Sequence, residues 1–226
     1  SSSQGECCFM NIDLNREAVT TEYAKLAPNY DSKWSVYIDA TTEETVRRLP
    51  TSIGATLDVG CGTGALLAQL IQRFPNATLT GVDASTEMLE HARSRLPDEV
   101  KLHACWAEEL PFDDASFDAI VSCNMFHFIR RPEVALAEMM RVLRPAGTVV
   151  ITDWCHDFLS CKLSDFYLRW FDRSHFRTYG ESQCRELLAA VHARHVQVDR
   201  YKVTWLWGMM TAIARKELSA AVCVPD

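Results

Sequence analysis

The residues Leu57-Asp58-Val59-Gly60-Cys61-Gly62-Thr63-Gly64 decide the fold of this chain. A short apolar run at 55–59 enters a loop with glycine at every second position, and the loop opens directly into a strong helix former. This pattern predicts a strand, a tight turn and a helix, the first unit of a doubly wound α/β sheet. The glycines let backbone N–H groups approach a ligand at the carboxyl end of the strand.

The spacing of the glycines limits the class of ligand. A dinucleotide-binding loop has the spacing G-x-G-x-x-G, and a phosphate-binding loop ends in Gly-Lys followed by Ser or Thr. Here the spacing is G-x-G-x-G, no lysine is near, and Asp58 lies inside the strand. A carboxylate at that place suits a cation such as an ammonium or sulfonium group, bound directly or through a water.

Composition narrows the class of protein. A length of 226 residues fits one domain, and 48% hydrophobic with 23% charged residues is ordinary for a globular protein. The net charge of -7 argues against a general nucleic-acid binder. No apolar run reaches the length of a membrane span. Nine scattered cysteines without a C-x-x-C pair indicate a reduced, cytoplasmic chain without a metal site.

Further elements follow along the chain. The segment 15–49 predicts two helices broken at Pro28, and four apolar runs after the first helix predict strands at 77–82, 100–105, 117–123 and 148–152. Two more helices, 157–173 and 181–193, precede final strands at 197–203 and 204–212, with a bend at Gly208.

The glycine loop closely resembles the first motif of class I S-adenosylmethionine-dependent methyltransferases, in the group known as methyltransferase type 11. The stretch from Trp106 to Phe112, with Leu110-Pro111-Phe112, is similar to the third and fourth motifs of that family. Tyr30-Asp31 matches a pair found in its N-terminal helical segment. One departure is Ala146, which stands where the family commonly has the first glycine of Pro-Gly-Gly.

The resemblance implies a doubly wound, mostly parallel seven-stranded sheet with an N-terminal helical cap. We divide the chain into a flexible leader, 1–14, and a single methyltransferase domain, 15–226. Within the domain we expect a helical cap at 15–50, a cofactor-binding core at 51–153, and an acceptor-side segment with the terminal strands at 154–226.

The same resemblance implies transfer of a methyl group from S-adenosylmethionine to a small-molecule or lipid-like acceptor at O, N, C or S. One alternative is an NAD(P)-dependent oxidoreductase, which would require the other glycine spacing. A second alternative is a non-catalytic relative that binds the cofactor without turnover.

Several residues are candidates for binding the cofactor. Asp83, at the tip of the second strand, is placed to accept both ribose hydroxyls. Trp106 stands where the family usually has an aspartate that reads the adenine, so Trp106 is expected to form an apolar wall, with the Ala107 N–H on a ring nitrogen. The full set is Asp58, Gly60, Cys61, Gly62, Gly64, Asp83, Ala84, Met88, Trp106, Ala107, Glu108, Asn124, Tyr23 and Tyr30.

His127 follows the fourth strand and is the candidate general base, because histidine exchanges a proton near neutral pH. With His127, Trp170, Arg177 and Tyr179 are expected to line the acceptor pocket. A thiolate cluster of Cys123, Cys155 and Cys161 is geometrically conceivable, but buried, inert thiols are the expected role of these cysteines.

Overall fold

The computed structural model describes residues 16–17, 20–171, 176–204 and 207–218. Seven strands in these residues form one sheet in the order β3-β2-β1-β4-β5-β7-β6. The strand β7 is antiparallel to both of its neighbours, and all other pairs are parallel. The strands are β1 Ala55–Val59, β2 Thr78–Asp83, β3 Lys101–Ala104, β4 Phe117–Cys123, β5 Leu143–Trp154, β6 Arg194–Lys202 and β7 Gly208–Arg215.

Helices cover both faces of the sheet. One apolar cluster contains Leu67 and Leu89 against the face that Val121 presents, and the other contains Leu136 and Leu188 against the face of Ile120. Neighbouring residues of β4 thus point to opposite faces, as a strand buried on both sides requires. After Asn29, the described residues form the α-helices α1 Tyr30–Arg47, α2 Ala65–Arg73, α3 Thr86–Arg95, α4 Pro132–Val142, α5 Leu159–Phe171 and α6 Glu181–Ala190.

The N-terminal part of the described chain is helical, with an interruption at a proline. Residues 16–17 and 20–26 are helical, a single 3-10 turn spans Ala27–Asn29, and α1 follows immediately. Pro28 lies in that turn, where its missing N–H costs no helical hydrogen bond. The break predicted at Pro28 is therefore confirmed. The predicted leader, 1–14, lies outside the described residues.

The predicted fold class is confirmed, whereas several predicted element boundaries differ from the structure, among them the starts of β5, β6 and β7. The strand β5 begins at Leu143, which pairs with Phe117 of β4 ahead of the stretch predicted as strand. The last strand begins at Gly208 rather than bending there. A Cβ at Gly208 would lie 2.2 Å from Phe158, so close packing against that ring, and not a bend, accounts for this glycine.

Among the described residues, no helix combines the length and the apolar character needed to cross a bilayer.

The departure at Ala146 has a measurable consequence. Ala146 is exposed and has a φ of 63°, in the left-handed region that favours glycine. We expect Ala146→Gly to raise the free energy of unfolding by about 0.5–1 kcal/mol, because the strain removed exceeds the backbone entropy that glycine adds. Ala137, exposed within α4, is the matched control, and Ala137→Gly should lower the same quantity by about 1 kcal/mol. Urea denaturation measures both; a loss of stability in both variants would contradict the assignment of strain to Ala146.

Candidate functional site

The glycine turn after β1 is fastened to the tip of β2. The carbonyl of Val82 accepts hydrogen bonds from the N–H groups of Gly60 and Cys61, at 2.8 and 2.9 Å. Gly60, Gly62 and Gly64 all have positive φ, at 77°, 52° and 79°. This backbone path is strained for residues with a Cβ, which explains glycine at every second position.

The turn forms one wall of a cavity at the carboxyl ends of β1, β2 and β4. A Cβ at Gly60 would lie 2.4 Å from Met125, whereas a Cβ at Gly62 would have nothing within 4 Å. Gly62 lines the cavity, so the space beside it is space for a ligand. Eleven of the predicted cofactor residues line this cavity: Gly60, Gly62, Asp83, Ala84, Met88, Trp106, Ala107, Glu108, Asn124, Tyr23 and Tyr30.

Asp83 closes the end of β2 with both carboxylate oxygens fixed. Its Oδ2 accepts the N–H of Gly62 at 2.8 Å, and its Oδ1 accepts the N–H of Ser85 at 2.9 Å. Ser85 in turn caps α3 by accepting the N–H of Met88. Burial raises the pKa of Asp83, and these backbone N–H groups oppose that effect. Each oxygen keeps a lone pair, which suits it to accept two vicinal hydroxyls.

Asp58 is a buried carboxyl without a hydrogen-bond partner among the described residues, for either of its oxygens. Its side chain is 1% exposed, and burial, followed by the nearby charge of Asp83, raises its pKa to about 8. A buried polar group without a partner costs about 1–3 kcal/mol, and a cation above the turn would satisfy it. The residues present therefore fit S-adenosylmethionine: an acid for its ammonium group, Asp83 for its ribose, and open space at Gly62.

The other predicted cofactor residues lie next to the cavity and do not line it. Cys61 is buried, and burial raises the pKa of its thiol. Gly64 caps the N-terminus of α2, and a Cβ there would meet Leu96 at 2.7 Å. Asp58, Cys61 and Gly64 thus support the turn from below or behind. A role for any of the fourteen residues in binding cofactor remains a prediction.

Trp106 and the two residues after it form the wall beyond β3. The guanidinium of Arg16 lies over the Trp106 ring, with its carbon 4.8 Å from the ring centroid, and it also pairs with Glu109 at 3.3 Å. Ala107 packs in the same apolar cluster as Ile129 of the loop after β4. The wall is therefore apolar and flat, and the N-terminal helical residues close it from outside.

Asn124 joins the tip of β4 to the cap. It has a φ of 59°, its Oδ1 accepts the hydroxyl of Tyr37 at 2.6 Å, and its Nδ2 donates to Thr41 Oγ1 at 2.8 Å. The indole of Trp154 donates to the same Tyr37 hydroxyl at 2.5 Å. Since Tyr37 and Thr41 both belong to α1, the strand tip and the cap hold each other in one arrangement.

Aromatic rings of the cap cover the cavity. The ring of Tyr23 lies 5.9 Å from that of Tyr30 and 5.2 Å from that of Phe128, centroid to centroid. All three residues line the cavity. Burial raises the pKa of Tyr30 above the ordinary range of a phenol, so its hydroxyl stays protonated at physiological pH.

His127 is buried one residue beyond the cavity lining. Its Nδ1 lies 2.7 Å from Asp153 Oδ1, and its backbone N–H donates to Asp153 Oδ2 at 3.0 Å. The imidazole stacks on Trp154 and lies against Phe128, at centroid distances of 5.1 and 3.9 Å. The neutral tautomer that donates from Nδ1 to Asp153 leaves Nε2 as a proton acceptor.

The other predicted acceptor residues do not meet in this cavity. Trp170 is 75% exposed, on a face of α5 that also exposes Leu163 and Phe166. Tyr179 is buried, and the Arg177 guanidinium lies over its ring at 4.6 Å. The backbone N–H groups of Phe176 and Arg177 donate to the carbonyl of His127, so this segment supports the histidine from behind.

The cysteines do not gather into a cluster. Among the described residues, no group of three or more Cys, His, Asp or Glu side chains is placed to hold a metal ion. Cys123 and Cys105 line the cavity, and burial raises the pKa of these thiols to about 12 and about 11. Cys155 donates toward Asp157 and Cys161 toward the Gly208 carbonyl. The described thiols with shifted pKa values are thus kept protonated, as an inert role requires.

Sequence reasoning missed part of the lining. Phe128 and Ile129 follow the predicted histidine directly, and the fourth strand's position could have indicated them. The other lining residues that were not predicted come from several parts of the chain, and their role in the lining depends on how these parts pack together. They include Arg16, Val59, Val82, Ser85, Cys105, Cys123, Met125, Arg130 and Arg131.

Gly60 and Gly62 offer a matched pair of variants. Gly60→Ala adds backbone strain and a clash with Met125, so we expect a loss of about 2–4 kcal/mol in the free energy of unfolding. Gly62→Ala adds strain alone, about 1–2 kcal/mol, but its methyl enters the cavity. Its affinity for S-adenosylhomocysteine, measured by calorimetry, should fall at least about tenfold. Normal binding by Gly62→Ala would show that this glycine does not face the ligand.

Known proteins resemble this chain in its central part. Residues 57–151 match the family described as a methyltransferase domain. An uncharacterised methyltransferase of Mycobacterium tuberculosis is 40% identical over 99 residues, which cover 44% of this chain and 39% of that protein. A demethylmenaquinone methyltransferase of Renibacterium salmoninarum is 31% identical over 153 residues, covering 65% of this chain and 62% of the relative. The chain thus spans less than two thirds of either relative.

The fold has close counterparts as well. A Haloferax volcanii chain solved in complex with the Trm112 methyltransferase activator superposes with a TM-score of 0.77 at 21% identity, over 87% of this chain and 98% of that one. None of these matches supports the oxidoreductase alternative. The glycine spacing, the sheet order and the methyltransferase domain matched over residues 57–151 thus agree in making this chain similar to the class I S-adenosylmethionine-dependent methyltransferases.

Proposed function

We propose that this chain transfers a methyl group from S-adenosylmethionine to a small-molecule acceptor with an apolar or aromatic body. The observation that carries the proposal is the single cavity in which the glycine turn and Asp83 face the aromatic rings of the cap. A concave site with mostly apolar walls and few polar groups is the usual form of a small-molecule site. Methyl transfer also requires a shielded, aligned acceptor.

The chain holds each part of the cofactor with a different group. Asp58, buried beneath the glycine turn, would balance the charge of the ammonium group, Asp83 would accept the ribose hydroxyls, and Trp106 with Ala107 would line the base. When bound, S-adenosylmethionine supplies an electrophilic methyl group. Tyr23, Tyr30 and Phe128 exclude water from it, because their rings close the cavity on the side of the N-terminal helical residues.

We further propose that the acceptor atom loses a proton during transfer, and that His127 accepts this proton at Nε2. Asp153 fixes the tautomer and orientation of the imidazole through its 2.7 Å contact with Nδ1. This pair favours hydroxyl or acidic carbon acceptors, which become strong nucleophiles on losing a proton, over neutral amines, which can attack without losing one first. The name of the demethylmenaquinone methyltransferase relative points to a quinone-derived acceptor, and we extend a ring acceptor of that kind to this chain. Phe128 or Trp154 has to move when such an acceptor reaches Nε2.

Transfer of labelled methyl groups tests the function. The purified chain is incubated with methyl-labelled S-adenosylmethionine and a panel of quinols, phenols, amines and thiols, and labelled products are counted. On an accepted hydroxyl substrate, His127→Gln should lower kcat by about 10²–10⁴-fold, the usual contribution of a general base. Asp153→Asn should lower it less, and the affinity for S-adenosylhomocysteine should change little in both, because neither residue lines the cavity.

His156 is the control for His127, because it is a histidine outside the proposed site. Its Nδ1 lies 2.9 Å from Thr178 Oγ1. His156→Gln should retain the wild-type kcat. Full activity of His127→Gln on a hydroxyl acceptor would refute the base role, while labelled product from no class of acceptor would refute the proposed activity.

The buried Asp58 predicts a pH dependence of cofactor binding. In the free protein its pKa of about 8 keeps the carboxyl mostly protonated at pH 6. An ammonium group above it favours the ionised form, so binding releases a proton and affinity should rise from pH 6 to pH 8, by up to about tenfold per unit. Calorimetry with S-adenosylhomocysteine should show this rise, and Asp58→Asn should bind more weakly with a flattened profile.

The pH dependence of the free energy of unfolding tests the raised pKa of Asp58 independently. Its direction is opposite to that of cofactor affinity. The unfolded chain releases the Asp58 proton near pH 4, whereas the folded chain keeps it to about pH 8. The contribution of Asp58 to the stability of the free protein should therefore decrease as pH rises from 4 to 8. If Asp58→Asn leaves this pH dependence of unfolding unchanged, Asp58 does not have the raised pKa in solution.

A further inference from the structure

The inference concerns the end of the cavity that would hold the adenine base, and it rests on the proposed cofactor. Asp83 marks the ribose and Asp58 the methionine part, so the base lies beyond Asp83, toward the residues that follow β3. Trp106 has no hydrogen-bond acceptor, since an indole only donates. An acceptor for the exocyclic amine must therefore come from another residue of this wall, whereas the Trp106 indole, the Ala107 N–H and the arginines of the lining can all supply a donor to a ring nitrogen.

Arg131 belongs to the same end of the cavity. It is the N-cap residue of α4, and α4 packs against the segment after β3: Glu138 accepts the N–H of Leu110 at 3.0 Å, and Arg141 donates to the Leu110 carbonyl at 2.9 Å. Ala107 and Ile129 share one apolar cluster. α4 thus lies beside the segment after β3, and Arg131 and residues 105–108 line one cavity.

The Arg131 side chain has neither a hydrogen bond nor an ion pair with any described residue, and its Nε is buried without a partner. The two other arginines of the cavity lining have contacts that Arg131 does not have: Arg16 pairs with Glu109 and lies over the Trp106 ring, although its Nε is also buried without a partner, and Arg130 lies over the Phe176 ring at 5.2 Å. A buried N–H without an acceptor costs about 1–3 kcal/mol. The site therefore favours a ligand that brings an acceptor to this guanidinium.

We propose that Arg131 determines base specificity by donating a hydrogen bond to a ring nitrogen of the adenine. Adenine offers acceptors at N1, N3 and N7, and a guanidinium presents donors in a fixed plane that suits a flat ring edge. In this arrangement the protein donates a hydrogen bond to a ring nitrogen of adenine. The alternative is that the exocyclic amine of adenine donates a hydrogen bond to a carboxylate of the protein. Glu108, which also lines the cavity, is the competing candidate through the exocyclic amine.

Calorimetry with S-adenosylhomocysteine and its 1-deaza, 3-deaza and 7-deaza analogues tests the proposal. Arg131→Gln should weaken binding of S-adenosylhomocysteine about tenfold or more. One of the three analogues should bind the wild-type protein equally weakly, and Arg131→Gln should then cause no further loss for that analogue. Arg93→Gln, which removes the same charge from an exposed position at the end of α3 outside the cavity lining, should bind within about twofold of wild type.

Other outcomes overturn the proposal. If the loss in Arg131→Gln disappears only with the decarboxylated analogue of the product, Arg131 binds the methionine carboxylate. An equal loss for every analogue would indicate a general electrostatic effect, and no loss would show that Arg131 does not contact the ligand. Glu108→Gln could instead cause the larger loss of affinity for S-adenosylhomocysteine, and this loss could vanish for the analogue that carries hypoxanthine in place of adenine. That result would assign base recognition to a contact between Glu108 and the exocyclic amine. Thermal midpoints confirm that each variant is folded.

The cofactor proposal fails separately. If the wild-type chain binds no S-adenosylhomocysteine, the assigned ligand is wrong and the inference about Arg131 falls with it. If the wild type binds but Arg131→Gln binds equally well, the cofactor stands and only the role of Arg131 is refuted.

Discussion

The site depends on the hydrogen bonds between the tips of β1 and β2. One carbonyl, that of Val82, accepts the N–H groups of Gly60 and Cys61, and the next residue, Asp83, accepts the N–H of Gly62. These bonds fix a turn that only glycine adopts without strain. Because strand pairing sets their geometry, the glycine turn and the Asp83 carboxylate form one hydrogen-bonded unit in the wall of the cavity.

The cap is positioned by buried polar contacts as well as by apolar packing. Thr45 of α1 donates to Thr152 of β5 at 2.6 Å, and Thr152 bonds Thr211 of β7 at 2.9 Å. Tyr37 and Thr41 hold Asn124 in its left-handed conformation. Hydrogen bonds of this kind allow fewer alternative registers than apolar contacts do, because a shift leaves buried groups unpaired. This side of the cavity is therefore built jointly by α1 and the sheet.

Most of the fold was predictable because its signals are local. The strand–turn–helix pattern at 55–74, the acid at the end of β2 and the break at Pro28 all depend on neighbouring residues. Predictions about individual side chains after β5 were weaker. Trp170 projects to the surface, since the helix phase of α5 turns Cys161 and Asp165, rather than Trp170, toward the sheet. Aromatic content indicated a pocket there, but content does not define which face of a helix is buried.

The sequence by itself determined the order of strands and helices, the glycine turn and the positions of Asp58 and Asp83, because each follows from backbone preferences and periodicity over a few residues. Only the tertiary structure decided that Asp58 lacks a partner, that His127 bonds Asp153, and that Arg131 faces the same space as Trp106. These relations join residues about 25 or more positions apart, and they exist because parallel strands bring the loops at their carboxyl ends to one edge of the sheet. Burial and pairing at that edge are properties of packing, and no short stretch of sequence contains them.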